Sequence, residues 1–408
     1  MPAIDSPRLL ACCVCAFSLV AANAPLTTVV AAQEPAAPQR VSQAQLKAAI
    51  DKLGDLDYAT RTAASRTVRR TSLDQAVPAL LQAVSDHADG YVRYRALVLL
   101  TGFNDPRTED AMREALASPN DRLRAVAYSY FEHRPPRPEV RAALLKALDT
   151  EVSEFVRPEL VRALAASADE PRVRDALVRE VGRGKDFFRS AVIEALGDYR
   201  AKYAYEAIAA VAKLDGPLQA DAAIALGKIG DKRGLEVLAA LQRTAPKASQ
   251  PSVAAAICLL GVNCEAHENY LIETLRFSDR NLGFQELLRS AAAGLGAIGV
   301  AGADDGVRSG AVDALLEIGI PSRDPTRAPI ALALGAVAMR HVDLMLARLL
   351  RHADQEHAIA LLAEGFDMLE EDFDKERFFM TVRRTFWGAP ADGPMRRLAG
   401  QLIQKLDF

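Results

Sequence analysis

Aromatic residues make up only 6% of the 408 residues, and there is a single tryptophan. No segment carries the alternating β-branched and aromatic pattern of a strand, so a sheet protein is excluded. Charge of one sign is also lacking. Lys and Arg number 50 against 53 Asp and Glu, a formal net charge of −3, so no global field draws the chain to nucleic acid or an anionic membrane. Cysteine is scarce, at five, and Cys12, Cys13 and Cys15 account for three.

Chemical motifs are missing too. Gly294-Leu295-Gly296 has neither a preceding strand nor a following lysine, so it is no phosphate loop. There is no Gly-x-Ser-x-Gly elbow, and Ser309 has no histidine near it in sequence. Among the six histidines only His267 is followed by a glutamate, Glu268, and His352 and His357 are five apart, off the helical spacing that brings ligands to one face. No catalytic, cofactor-binding or metal-ligating residue is assigned. The cluster Arg61, Arg66, Arg69 and Arg70 is too small to argue for nucleic-acid binding.

What is present is a period. Arg61, Arg93, Arg124, Arg157 and Arg189 open successive apolar stretches at steps of 32, 31, 33 and 32 residues. Half the chain is apolar, with Ala and Leu dominant, as closely packed helices require. A period in the thirties without strands predicts stacked helix pairs, an all-α solenoid of about 11 antiparallel units. The pairs are expected to begin near 43 and 57, 75 and 89, 106 and 120, 137 and 153, 170 and 185, 202 and 216, 234 and 249, 267 and 284, 307 and 325, 341 and 355, and 371 and 391. Asp121, Asp186 and Asp324 stand where they can cap second helices, and Gly197, Gly227 and Gly261 where they can end them. After Arg189 the ladder position falls on Gln219 and then Val253, before arginine returns at Arg289 and Arg327.

The ends differ from the middle. An uncharged run from Leu9 to Ala32 follows Arg8 and closes on Val30-Ala31-Ala32, which reads as a signal peptide over 1–32, cleaved near Ala32, with an uncleaved membrane anchor as the alternative. Residues 33–42, with two prolines, are expected to form a flexible lead. The first sub-array then covers 43–298. A Gly/Ala-rich link at 299–306 reads either as a hinge or as a slightly longer loop, and further repeats with a C-terminal cap fill 307–408. The mature chain keeps Cys258 and Cys264, either bridged or as two buried thiols. Between Phe366 and Trp387 acids mix with aromatics, read as a polar cap over the last core layer, or as a docking surface anchored by Trp387 beside Arg383 and Arg384.

Read through residues 196–241 in particular, the chain resembles HEAT-repeat proteins, especially the bacterial phycobilisome-lyase-like form. That resemblance implies second helices on a concave face and arginines bonded to neighbouring units, leaving Tyr91, Tyr94, Arg95, Arg122, Tyr128 and Phe187 as candidate partner-binding residues. It also admits a lyase-like enzyme or enzyme subunit as the alternative. The expectation is a non-catalytic scaffold in the periplasm or at the cell surface. It binds another protein, without cofactor, nucleic acid or a membrane span in the mature chain.

Overall fold

The second helices in the middle of the array are buried over much of their surface, whereas the terminal second helices and most first helices bury one stripe. The computed structural model describes residues 38–408 apart from 135, 370 and 371, so the expected leader and residues 33–37 lie outside it. The described residues form 22 α-helices in 11 antiparallel pairs, with no strand beyond one isolated bridge between Gln39 and Thr71.

The first four pairs are α1 (Gln43–Asp51) with α2 (Tyr58–Arg70), α3 (Leu73–Asp86) with α4 (Gly90–Thr101), α5 (Arg107–Ala115) with α6 (Asp121–His133), and α7 (Pro138–Thr150) with α8 (Arg157–Ala166). The next four are α9 (Pro171–Glu180) with α10 (Asp186–Asp198), α11 (Tyr205–Ala212) with α12 (Gln219–Ile229), α13 (Gly234–Thr244) with α14 (Gln250–Leu259), and α15 (Cys264–Arg280) with α16 (Gln285–Ala301). The last three are α17 (Asp305–Gly319) with α18 (Arg327–Arg340), α19 (Val342–Arg351) with α20 (Gln355–Met368), and α21 (Asp372–Gly388) with α22 (Pro394–Lys405).

In α9, Val173, Ala176, Leu177 and Glu180 are the buried residues, an i, i+3, i+4, i+7 stripe on a helix otherwise facing water. In α4, by contrast, the five consecutive residues Ala96 to Leu100 are all buried, because neighbours cover the helix on every side. The second helices therefore form the inner layer, each packed against the second helix of the next unit.

Glycine sets how closely those inner helices approach. A Cβ on Gly197 would lie 3.0 Å from Ala225 Cα, and one on Gly227 would lie 2.7 Å from Ala256 Cα. Both glycines sit inside their helices, which corrects their reading as helix ends: the residues with the left-handed backbone of a helix end are Gly230 and Gly261. The proposed aspartate caps also shift. Asn120 rather than Asp121 caps α6, its Oδ1 accepting from the Arg122 amide at 3.0 Å. Asp186 pairs with Arg189 at 3.1 Å, and Asp324 precedes a cis Pro325 ahead of α18.

The arginine ladder faces into the stack. Arg61 donates to the carbonyls of Asp55 and Leu56 at 2.7 and 2.9 Å, Arg93 to Val84 at 2.8 Å, and Arg189 to Val181 at 2.9 Å. Arg124 grips the carboxylate of Glu151 in the next unit with two bonds of 2.7 and 2.8 Å, and Arg157 reaches Glu180 at 2.6 Å. The last carbonyls of a helix have no partner of their own, and Arg93 and Arg189 supply one. Gln219 performs the same task, its amide donating to Ala212 and Leu214 at 3.3 and 3.2 Å. Gln250, not Val253, takes the next turn, donating to Ala245 at 2.8 Å, while Val253 is fully buried. The ladder therefore continues in glutamine where arginine lapses.

Two further expectations are corrected. Residues 299–301 belong to α16, so the glycine-rich segment leaves only 302–304 as a link. The buried core instead divides at α14, where Val253, Ala256 and Ile257 join one cluster and Ala254, Ala255 and Cys258 the other. Residues 39–42 of the supposed lead are held in place: Gln39 exchanges backbone hydrogen bonds with Arg70 and Ser72 at 2.7 and 2.9 Å. Cys258 and Cys264 are joined in a disulfide across the turn between α14 and α15, with Cα atoms 4.1 Å apart.

Candidate functional site

Along the inner layer, charges pair across helices. Glu132 on α6 accepts from Nε of Arg162 on α8 at 3.1 Å and from the Tyr199 hydroxyl at 2.6 Å. Arg162 also reaches Asp198 at 3.1 Å, and Asp198 accepts from Lys228 on α12 at 2.6 Å. Burial pushes Glu132 up, but the neighbouring Arg162, His133 and Arg340 outweigh it and hold the carboxyl below its usual range. Arg340 comes from α18, 208 residues away, and lies 3.4 Å from Glu132. The far half of the array thus reaches the inner face of the near half.

That closure is completed by α21. Unlike the preceding first helices it lies on the inner side, packed against α18 and also against α4 and α6. Phe373 stacks on His133 at 5.2 Å between centroids and meets Tyr130 edge-on at 6.2 Å. His133 lies 3.0 Å from Asp374, which is held well below the carboxylate range because His133, Arg340 and Arg377 outweigh its burial. Glu376 accepts from Arg69 on α2, with Nε 3.1 Å from both carboxylate oxygens. Arg66 pairs with Asp407, and Arg383 donates to the Arg69 carbonyl at 3.1 Å. Asp374 and Glu376 are buried in a seam that joins the two ends of the array, whereas Asp367 of the same tract is exposed.

Two cavities flank the Arg69–Glu376 pair. One, of about 500 Å³, is lined mainly by apolar side chains including Leu73, Leu99, Phe103, Met380 and Trp387. The other, of about 460 Å³, is polar and is lined by Arg61, Tyr91, Tyr94, Arg95 and Arg122 from the first three units. Its opposite wall carries Asp367, Glu376, Phe379 and Asp407.

Local rules explain the polar wall. Asp89 caps α4 by accepting from the Tyr91 amide at 2.8 Å, placing Tyr91 and Tyr94 one turn apart with ring centroids 5.6 Å from each other. Asn120 caps α6 and donates to the Gly90 carbonyl at 3.1 Å, which sets the start of α6 beside that of α4. Arg122 then lies with its guanidinium carbon 5.6 Å from both tyrosine rings, within cation–π range. Tyr91 and Arg122 each stand two residues before a ladder arginine. At about 100° per residue, two positions carry a side chain from the helix interface to the open face. Burial and the nearby charges of Arg69 and Arg61 draw Arg95 below the usual arginine value.

Four of the six candidate residues, Tyr91, Tyr94, Arg95 and Arg122, thus meet in one cavity. Tyr128 does not: it is 1% exposed, and its hydroxyl donates to Glu151 at 3.2 Å. Phe187 is exposed at the start of α10, away from the cavity lining. Sequence reasoning missed Tyr58 and the C-terminal Leu406, Asp407 and Phe408, and it offered the Phe366–Trp387 segment as a cap or docking surface without placing it opposite these residues. Trp387 is partly exposed on the apolar cavity. Among the described residues, no group of three or more His, Cys, Asp or Glu is placed to hold a metal ion, and no helix is long and apolar enough to cross a membrane.

Residues 44–132 and 77–165, together the first four pairs, match the family of HEAT repeats. The match is to HEAT repeats in general and carries nothing specific to the lyase-like form. No curated protein matches the sequence. Among solved structures the chain is similar to YibA of E. coli, at 17% identity and TM-score 0.40 over 54% of this chain and 82% of that one. It is similar to human deoxyhypusine hydroxylase, solved with glycerol, at 18% identity and TM-score 0.28 over 53% and 84%. Kap121p aligns at 13% identity and TM-score 0.41 over 89% of this chain, which spans 49% of Kap121p. The chain is an all-α solenoid whose first four helix pairs match HEAT repeats.

Proposed function

We propose that this solenoid is a non-catalytic scaffold that binds another protein in an exported compartment, using the cavity where its two ends meet. The observation that carries this reading is the convergence of Tyr91, Tyr94, Arg95 and Arg122 on a cavity of about 460 Å³. Aromatic rings and guanidinium groups are the side chains that anchor protein interfaces, the rings because they bury much area at little entropic cost and the guanidinium because of its pre-organised planar fork of donors. The export part rests on the apolar run that ends at Ala32 and on the pairing of Cys258 with Cys264, which an oxidising compartment favours.

The test is capture of partners from the native host by the tagged mature chain, followed by mass spectrometry. The same exported protein should be recovered repeatedly and should bind again when both are purified. Turnover of a bound small molecule by the purified chain, or a partner bound equally after the cavity is blocked, would overturn the reading.

A further inference from the structure

We propose that the polar cavity at the seam binds an acidic peptide segment, with Arg122 as the principal carboxylate anchor; this rests on the scaffold reading and names its ligand chemistry. The cavity presents guanidinium groups from three successive inner helices: Arg61 and Arg69 of α2, Arg95 of α4 and Arg122 of α6. The carboxylates facing them are partly spent, Glu376 on Arg69 and Asp407 on Arg66. Arg122 is exposed, and among the described residues its guanidinium has no carboxylate or carbonyl partner; its contacts are the faces of Tyr91 and Tyr94. Arg61 hydrogen-bonds the carbonyl oxygens of Asp55 and Leu56.

The molecule itself shows which anion this face accepts. Glu376 is a carboxylate delivered by a helix and held in a forked contact by Arg69, on the same wall as Arg122. Elsewhere in the array Arg124 holds Glu151 and Arg327 holds Glu364 through the same fork, with bonds of 2.6 to 2.9 Å. The Arg122 guanidinium lies 5.6 Å from both tyrosine rings, and its planar fork of N–H donors suits a planar carboxylate better than a spherical anion. The aromatic rings Tyr58, Tyr91, Tyr94 and Phe379 would cover the carbon chains of acidic residues.

The experiment titrates the purified mature chain into fluorescein-labelled hexaglutamate and reads anisotropy, with hexaglutamine, inorganic phosphate and a heparin hexasaccharide as comparison probes. Hexaglutamate should bind, with affinity falling as salt rises, and hexaglutamine should not. Arg122→Ala, at an exposed position, should weaken binding about tenfold or more with unchanged circular dichroism and melting, and Arg122→Lys should recover only part of it. Absence of hexaglutamate binding, or equal binding by Arg122→Ala, would overturn the proposal. Binding of heparin alone, lost in Arg122→Ala, would also overturn it and assign the cavity to an anionic polysaccharide. If Arg122→Ala still captures the same exported partner from the host, the acidic-segment site falls while the scaffold reading stands.

Discussion

Arg69 and Glu376 are 307 residues apart in sequence and share a buried, forked ion pair, 9% and 4% exposed at their side chains. This contact ties the first helix pair to the last. A buried pair of this kind costs desolvation, and its removal from one side leaves a charge in a site built to neutralise it.

Glu376→Gln should therefore destabilise the seam by about 3 kcal/mol or more, while the double variant Arg69→Met, Glu376→Leu should recover much of that loss. The single tryptophan, Trp387, lies on α21 beside the seam and reports on it. Urea titration followed by its fluorescence should show an earlier transition for Glu376→Gln than for the double variant. Equal midpoints in both variants would mean that the pair does not hold the ends together.

Glu159 on α8 supplies a pH dependence. Burial, against the pull of its own backbone amide and Arg162, pushes its carboxyl up to about 7, and its Oε2 is buried with no hydrogen-bond partner among the described residues. Between the ordinary glutamate value of about 4.5 and 7, the folded state holds a proton that the unfolded state has lost. Stability from this group is therefore full at pH 4.5 and falls by about 3 kcal/mol as pH rises to 7. Glu159→Gln should flatten that slope, matching the parent near pH 5 and exceeding it near pH 8. Parallel pH profiles for the two proteins would disprove the assignment.

The glutamines that continue the ladder can be tested singly. Gln219→Ala and Gln250→Ala each remove neutral hydrogen bonds to helix-end carbonyls and should cost about 1 kcal/mol. Arg124→Ala strands Glu151, whose side chain is 2% exposed, and should cost about 3 kcal/mol. Thermal melting in parallel should rank the three accordingly.

Close approach of inner helices makes Gly365 intolerant of a methyl group. A Cβ there would lie 2.1 Å from the Ala331 carbonyl oxygen, forcing α20 away from α18. Gly365→Ala should destabilise by about 1–3 kcal/mol despite the better helix propensity of alanine. Gly388→Ala, where nothing lies within 4 Å of the added carbon, is the control and should be neutral or slightly stabilising.

Export has its own readout. The intact mass of protein from the native host should correspond to an amino terminus at or near Gln33, and Cys258 and Cys264 should resist alkylation until reduced. A mass that retains residues 1–32, or two freely alkylated thiols in native protein, would remove the basis for placing the chain outside the cytoplasm.

The helix pairs were legible because their signals are local. The period of Arg61 to Arg189 and the Ala/Leu runs locate helix starts within a few residues, from Gln43 to Pro394. The ladder was legible only where it is arginine: Gln219 and Gln250 do the same work through an amide, and no rule of charge spacing finds them. Tyr91, Tyr94, Arg95 and Arg122 could be nominated because each lies near the start of a second helix. Their opposite wall could not, since its position depends on small rotations accumulated over ten units. Asp374 and Glu376 read as solvated acids for the same reason: their partners, His133 and Arg69, are hundreds of residues away.

Phe373 belongs to the same buried cluster as Leu46 and Leu53, although its helix is the penultimate one. An open solenoid tolerates gain or loss of a unit, because each repeat meets only its neighbours. Here the count is fixed. Duplicating or deleting one pair anywhere along the array would turn α21 out of register with α4 and α6, expose Phe373 and separate the two walls of the cavity. Gene-level repeat expansion, the ordinary route by which such arrays diversify, is therefore closed to this chain unless the seam is given up first.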